Sequence, residues 1–239
     1  MNTHSAITID APAALLARAD LILLAASLLR PPAAVDRAHW SDARDALDDL
    51  ITAADIHAPD LRSALHDALT SGIELAPGLH SAEYHRLFEG KLLCPPNQTA
   101  YVRRDKGAVL ADICGFYHAF GFDFRSETAE KPDHVVTELE FCGVLLAMIA
   151  AAPDEDRATI AAEALAGFAD CHLGEWVAWF AARLAAVSQV DFYGAAAGAV
   201  MAAWQAIGNA HNLRITPSTP MAQPEQTPDD PYECAGKPT

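Results

Sequence analysis

Leu15, Ala19, Ile22, Ala26 and Leu29 recur at spacings of 4, 3, 4 and 3, and the same interval returns along most of the chain. Residues three and four apart share one face of a helix, so each such segment must bury an apolar side against a neighbour. No stretch alternates β-branched and polar residues with a period of two, so no significant sheet is expected. Ala supplies 50 of the 239 residues and Gly only 13, a composition that favours helix. At this length the chain forms one large domain or two small ones, and it buries enough surface to fold without disulfides or metal.

Punctuation divides the pattern into elements. Pro12 suits a first helical turn after Asp10, and Pro31-Pro32 end that helix. Ser41 is placed to cap a second helix with the face Leu47, Leu50, Ile51 and Ala54. A third helix carries Leu61, Leu65 and Leu69 and stops at Gly72. Ser81 opens a short helix through Tyr84, Leu87 and Phe88, which Gly90 closes. After a Pro-containing loop from Cys94 to Thr99, a helix is expected from about Asp105 to Phe120, followed by a polar loop, Arg125–Pro132. A long helix from Asp133, its natural N-cap, to Ala152 follows, and then three more at about 154–169, 171–187 and 190–209. The expectation is an all-α, single-domain bundle of about eight to ten helices over residues 1–213. A Pro-rich acidic tail, 214–239, is expected to be extended or disordered.

Charge and motifs narrow the function. Lys plus Arg number 16 against 32 Asp plus Glu, a formal net charge of −16. That argues against a nucleic-acid binder, favours a soluble protein and leaves room for a basic partner. Five cysteines in no C-x-x-C pair suggest neither a disulfide framework nor a zinc ribbon, and free thiols in a reducing compartment are expected. No apolar run approaches the roughly 18 residues of a membrane span, and the first ten residues lack a basic signal-peptide region. Arg103-Arg104 lies mid-chain and reads as a solvated helix start. Among ten histidines neither H-E-x-x-H nor a paired E-x-x-H occurs, so no metal is expected. There is no G-x-S-x-G, no phosphate-binding loop and no G-x-G-x-x-G, and no cofactor is expected. Cys94, beside two prolines, is the one candidate reactive thiol. In Pro132–Phe141, the residues Asp133, Thr137 and Glu140 fall toward one side of a helix and His134 and Glu138 toward another. They read either as a cap with a solvated acidic face or as a carboxylate rim for a basic peptide. His172, Trp176 and Phe180 form an i, i+4, i+8 stripe that suits core or a groove.

Three segments together carry a resemblance. Tyr84-His85-Arg86-Leu87-Phe88, followed by Pro95-Pro96 and Tyr101, resembles the first signature of the TorD/DmsD/NarJ family of molybdoenzyme chaperones. Pro132-Asp133-His134-Val135-Val136-Thr137-Glu138-Leu139-Glu140-Phe141 matches the second, roughly P-D-H-x-x-x-E-L-x-F. His172-Leu173 with Trp176 and Phe180 matches a third, and Phe192-Tyr193 stands where the family often has an aromatic pair. The resemblance is close over about 80–195. Two departures stand out: Asn97-Gln98-Thr99 replaces a common Tyr-Glu-Ser, and Cys142 replaces a common Met.

The resemblance implies a cytoplasmic chaperone without catalytic turnover. Its partner would be the immature catalytic subunit of a DMSO-reductase-like molybdoenzyme, together with that subunit's N-terminal twin-arginine signal peptide. It would assist cofactor insertion and proofreading before export or assembly, as a monomer or a helix-exchanged dimer hinged at Arg125–Pro132. For such a leader, Asp133, Glu138 and Glu140 would meet the arginines, and His134 would tune Asp133 or hydrogen-bond a peptide carbonyl. Tyr84, Leu87, Phe88, Pro96, Tyr101, Tyr117, Phe120, Phe141, His172 and Trp176 would supply an apolar groove, with several of them instead in the core. The alternative is an all-helical accessory protein that binds nucleotide or molybdopterin directly.

Overall fold

α1, Pro12–Ser27, is the helix around which the others assemble. It packs against α7 (Val135–Ala150), α3 (Leu47–Ala54) and α10 (Asp191–Ala210). Around this centre, α7 lies on α8 (Glu155–Cys171), α8 on α9 (Leu173–Val187) and α9 on α10. α10 also covers α4 (Pro59–Glu74), which carries α2 (Arg37–Asp45). α5 (Pro77–Tyr84) and α6 (Lys106–Ala119) complete ten α-helices among the described residues, and these contain no strand. This computed structural model describes residues 11–122, 131–215 and 217. The expected hinge loop and the expected tail fall almost wholly outside them. Ile215, assigned to the tail by sequence, still packs on the core.

The sequence accounts for the centrality of α1. Leu21, Ile22, Ala25 and Ala26 are fully buried, and with Leu15, Ala19 and Leu24 they make an apolar face that covers more than half of its circumference. α7 comes close because Gly143 has no Cβ; one placed there would lie 3.0 Å from the side chain of Leu23. The one charged residue buried in α1, Arg18, donates through Nε to the carbonyl of Ala54 (2.9 Å) and through Nη2 to that of Asp55 (3.4 Å). It thereby satisfies carbonyls left open where α3 ends at the left-handed Asp55, φ 50°.

Helix boundaries depart from the expectation both at a start and at an end. α2 is capped by Asp36, whose carboxylate accepts from the backbone N–H groups of Ala38 (2.9 Å) and His39 (3.3 Å), and Ser41 lies inside the helix. α4 does not stop at Gly72 but runs to Glu74, because Gly72 fits under the rings of Phe192 and Trp40. After α5 the chain makes a π-turn, His85–Glu89, closed by Gly90 N–H donating to the carbonyl of His85 (2.7 Å). Glu83 and Arg86 lock that turn. The guanidinium donates twice to the carboxylate at 2.6 Å and once to the carbonyl of Val187 at 2.6 Å. Glu83 also accepts from Gln189 N–H (2.7 Å), and these bonds hold its carboxyl below the usual range.

Candidate functional site

The three sequence signatures meet in one place. The loop from Cys94 to Tyr101 lies over the start of α7 and the start of α9. An isolated antiparallel bridge pairs Asn97 with His134, with Gln98 N–H donating to the carbonyl of Asp133 (2.9 Å) and Val135 N–H to that of Pro96 (2.8 Å). Asp133 is fully buried beneath this bridge. Its carboxylate accepts from Thr99 N–H (3.0 Å), Thr99 Oγ1 (2.7 Å) and Asn97 Nδ2 (3.0 Å). Asp133 therefore caps a loop rather than α7. The N-cap of α7 is His134, whose Nδ1 accepts from Val136 N–H (3.3 Å).

The bonds continue inward. Gln98, fully buried, receives through Oε1 the Nδ1–H of His172 (3.1 Å) and reaches Cys171 O and Glu175 Oε2 through Nε2, each at 3.5 Å. Arg104 closes the outer side, donating to Cys171 O (2.7 Å) and Glu175 (2.6 Å), so it is a strut onto the junction of α8 and α9. On the inner side Trp176 donates its indole N–H to Glu138 Oε2 (3.0 Å). Tyr117 donates its hydroxyl to the carbonyl of Pro132 (2.9 Å), tying α6 to the same turn.

Burial sets the protonation states. It lowers His134 to about 4, against the pull of Asp133, and lowers His172 to about 4 although Asp112 Oδ2 lies 3.2 Å from its Nε2. Both rings are neutral near pH 7. Burial pushes the Glu138 carboxyl well up, toward its neutral form. The Cys94 thiol, buried beside Tyr101 and the carbonyl of Phe180, is pushed up to about 12, which removes it as a nucleophile. No group of three metal-ligating side chains stands together among the described residues.

Positions expected to face a ligand are thus mostly interior. Asp133, Glu138, Phe141, His172, Trp176 and Leu87 are fully buried, and Tyr84, Phe88, Pro96, Tyr101, Tyr117 and His134 are buried too. The aromatic members form two stacks. In one, Tyr101 meets Trp176 (5.3 Å between centroids) and Phe88 meets Tyr84 (4.9 Å) and Tyr193 (5.6 Å). In the other, Phe141 joins Tyr117 (4.8 Å) to Phe168 (4.9 Å). Glu140 alone of the four acid-motif positions stays partly exposed, and it is ion-paired to Arg30. At Asp133 and Glu138, Asn97, Thr99 and Trp176 already supply the donors expected of an incoming arginine. Gln98 is the residue that sequence reasoning undervalued. Its departure from an acidic residue was visible, but its pairing with His172 across 74 positions was not.

A family model described as nitrate reductase delta subunit matches residues 47–182, more than half of the chain. The chain belongs to the nitrate reductase delta subunit family. The resemblance carried by the three signatures is borne out, and the matched span runs from the first residue of α3 into α9, taking in the whole hydrogen-bonded knot around Asp133, Gln98 and His172. A curated protein, the selenate reductase assembly chaperone protein of Thauera selenatis, is 36% identical over 117 residues. The alignment covers 48% of this chain and 57% of that relative, so the chain spans little more than half of the relative's length.

Proposed function

We propose that the protein is a cytoplasmic assembly chaperone for the immature catalytic subunit of a DMSO-reductase-family molybdoenzyme. In this reading it holds the subunit, with its twin-arginine leader, until the molybdopterin cofactor is inserted, and performs no turnover of its own. The family match over residues 47–182 carries the reading, and the name of the Thauera selenatis relative supports it. The chemistry of the knot is in keeping with it. Neutral histidines, a carboxyl raised by burial and a buried thiol suit a rigid scaffold rather than a catalyst. No helix among the described residues is long and apolar enough to cross a membrane. The signature residues Asp133, His134, Gln98 and His172 would then act by fixing the loop, and the client would meet the surface that they hold in place.

The test is capture of the full chain, tagged, from its native host, with mass spectrometry of what it retains, alongside deletion of its gene. Recovery of a molybdoenzyme catalytic subunit, and its accumulation without cofactor in the deletion strain, is the expected result. Normal cofactor loading in the deletion strain would overturn the reading.

A further inference from the structure

The outward stripe of α1 is unlike the rest of that helix. Leu16 and Leu23 are 47% and 37% exposed, with Asp20 between them at helical spacing. Beside Leu23 a cleft of about 570 Å³ opens between α1 and the α2–α3 pair, within the size range of pockets that hold ligand side chains. Leu24, Trp40 and Leu50 line its apolar side with Val35. Trp40 is fixed there by its indole N–H, which donates to Ser27 Oγ at 2.9 Å, so the cleft is already formed. The rim is acidic: Asp20 makes no ion pair among the described residues, and Asp36 is exposed although its carboxylate caps α2. The basic groups at the rim are His39 and Arg30, and Arg30 is already paired with Glu140. Exposed apolar surface beside unneutralised carboxylates, on a chain of net charge −16, complements an apolar segment that carries cations.

We propose that this cleft receives an apolar segment of the client bearing arginine or lysine, with the apolar side chains against Leu23, Val35 and Leu50 and a cation on Asp20. The proposal rests on the chaperone reading and gives it a surface, which the buried knot does not. Every lining residue named except Leu50 precedes residue 47, where the family match begins. Recognition of one particular client can vary there without disturbing the shared knot.

The experiment is fluorescence anisotropy of the full chain with a fluorescein-labelled synthetic peptide, two arginines followed by a Leu- and Ala-rich run. Asp20→Lys and Leu23→Glu are compared with the remote controls Asp60→Lys and Leu79→Glu, melting temperatures being checked for each. Both cleft variants are expected to weaken binding by about tenfold or more, and both controls by less than about twofold. A benzophenone side chain at position 23 should cross-link to the peptide. Equal binding by wild type and cleft variants, or no binding by wild type, would overturn the assignment. So would light scattering that finds a dimer broken by Leu23→Glu, because the face would then be a self-interface. If these fail while the tagged chain still captures a molybdoenzyme catalytic subunit, the chaperone reading stands without this cleft. If that capture fails as well, the reading itself falls.

Discussion

Trp176 donates its indole N–H to one oxygen of Glu138 at 3.0 Å, while the other oxygen, Oε1, is buried and has no hydrogen-bond partner among the described residues. Because burial raises this carboxyl, the folded state binds a proton that the unfolded chain releases. Its contribution to stability is therefore complete below the unfolded value and is lost as pH rises. Glu138→Gln keeps the acceptor for Trp176 and removes the titration. The margin by which the variant exceeds wild type in melting temperature is expected to grow from pH 5 to pH 8. A variant less stable at both values would show that the charge itself is needed. Trp176→Phe, which orphans the carboxyl, should cost about 1–3 kcal/mol.

The knot around Asp133 predicts the opposite of a surface role. Asp133→Ala strands Thr99 N–H, Thr99 Oγ1 and Asn97 Nδ2 together. A loss of at least ~2 kcal/mol is expected, and a fall in melting temperature of roughly 4–8 °C. An unchanged melting curve by differential scanning calorimetry would contradict the network.

Three buried histidines make the fold acid-sensitive. His80, His134 and His172 are each lowered by burial to about 4 from an ordinary 6.5. Between those values the unfolded chain binds more protons, so stability falls as pH drops below about 6.5. Urea midpoints should decline between pH 7 and pH 5, with of order 1 kcal/mol lost per histidine. His80 has the simplest surroundings, the rings of Trp40, Phe192 and Tyr193. His80→Phe should flatten part of that decline, and an unaltered slope would remove His80 as a source.

Thiol reactivity separates interior from surface. Cys94 and Cys142 are buried and their thiols are raised, whereas Cys114 and Cys171 are exposed. In a Cys234→Ser background, iodoacetamide on the native protein is expected to label Cys114 first. Cys171 should follow more slowly, because burial and nearby carboxylates raise its thiol. Cys94 and Cys142 should react only in urea, as peptide mapping would reveal.

The helices were legible because their signals are local. The spacing from Leu15 to Leu29 is an intrinsic record of α1, and Asp105 and the turn at Pro153 mark their boundaries within a few residues. The role of Asp133 was not legible, because its partners stand 34 and 36 positions away on a loop with no periodicity. A carboxylate meant for solvent and one meant for three buried donors are the same letter. Ser41 lost its expected cap to Asp36 for a related reason. Both residues accept N–H groups well, and only the bend after Pro32 decides which of them stands at the end of the helix. The aromatic stripe on α9 was read as either core or groove, and packing against Tyr101 and Phe88 resolved it as core.

The loop held by Asp133, His172 and Glu175 also sets a timetable for synthesis. Residues 97–99 leave the ribosome long before the side chains that fix them, which stand as far on as residue 175. Until α9 has been made, this segment has little to bond except water, and long-range closure of this kind is slow. A nascent chain arrested before His172 should accordingly expose its 95–101 segment to protease, and one extended past Trp176 should protect it. A protein proposed to shelter another's unfinished subunit thus leaves its own central loop unfinished until most of its chain exists.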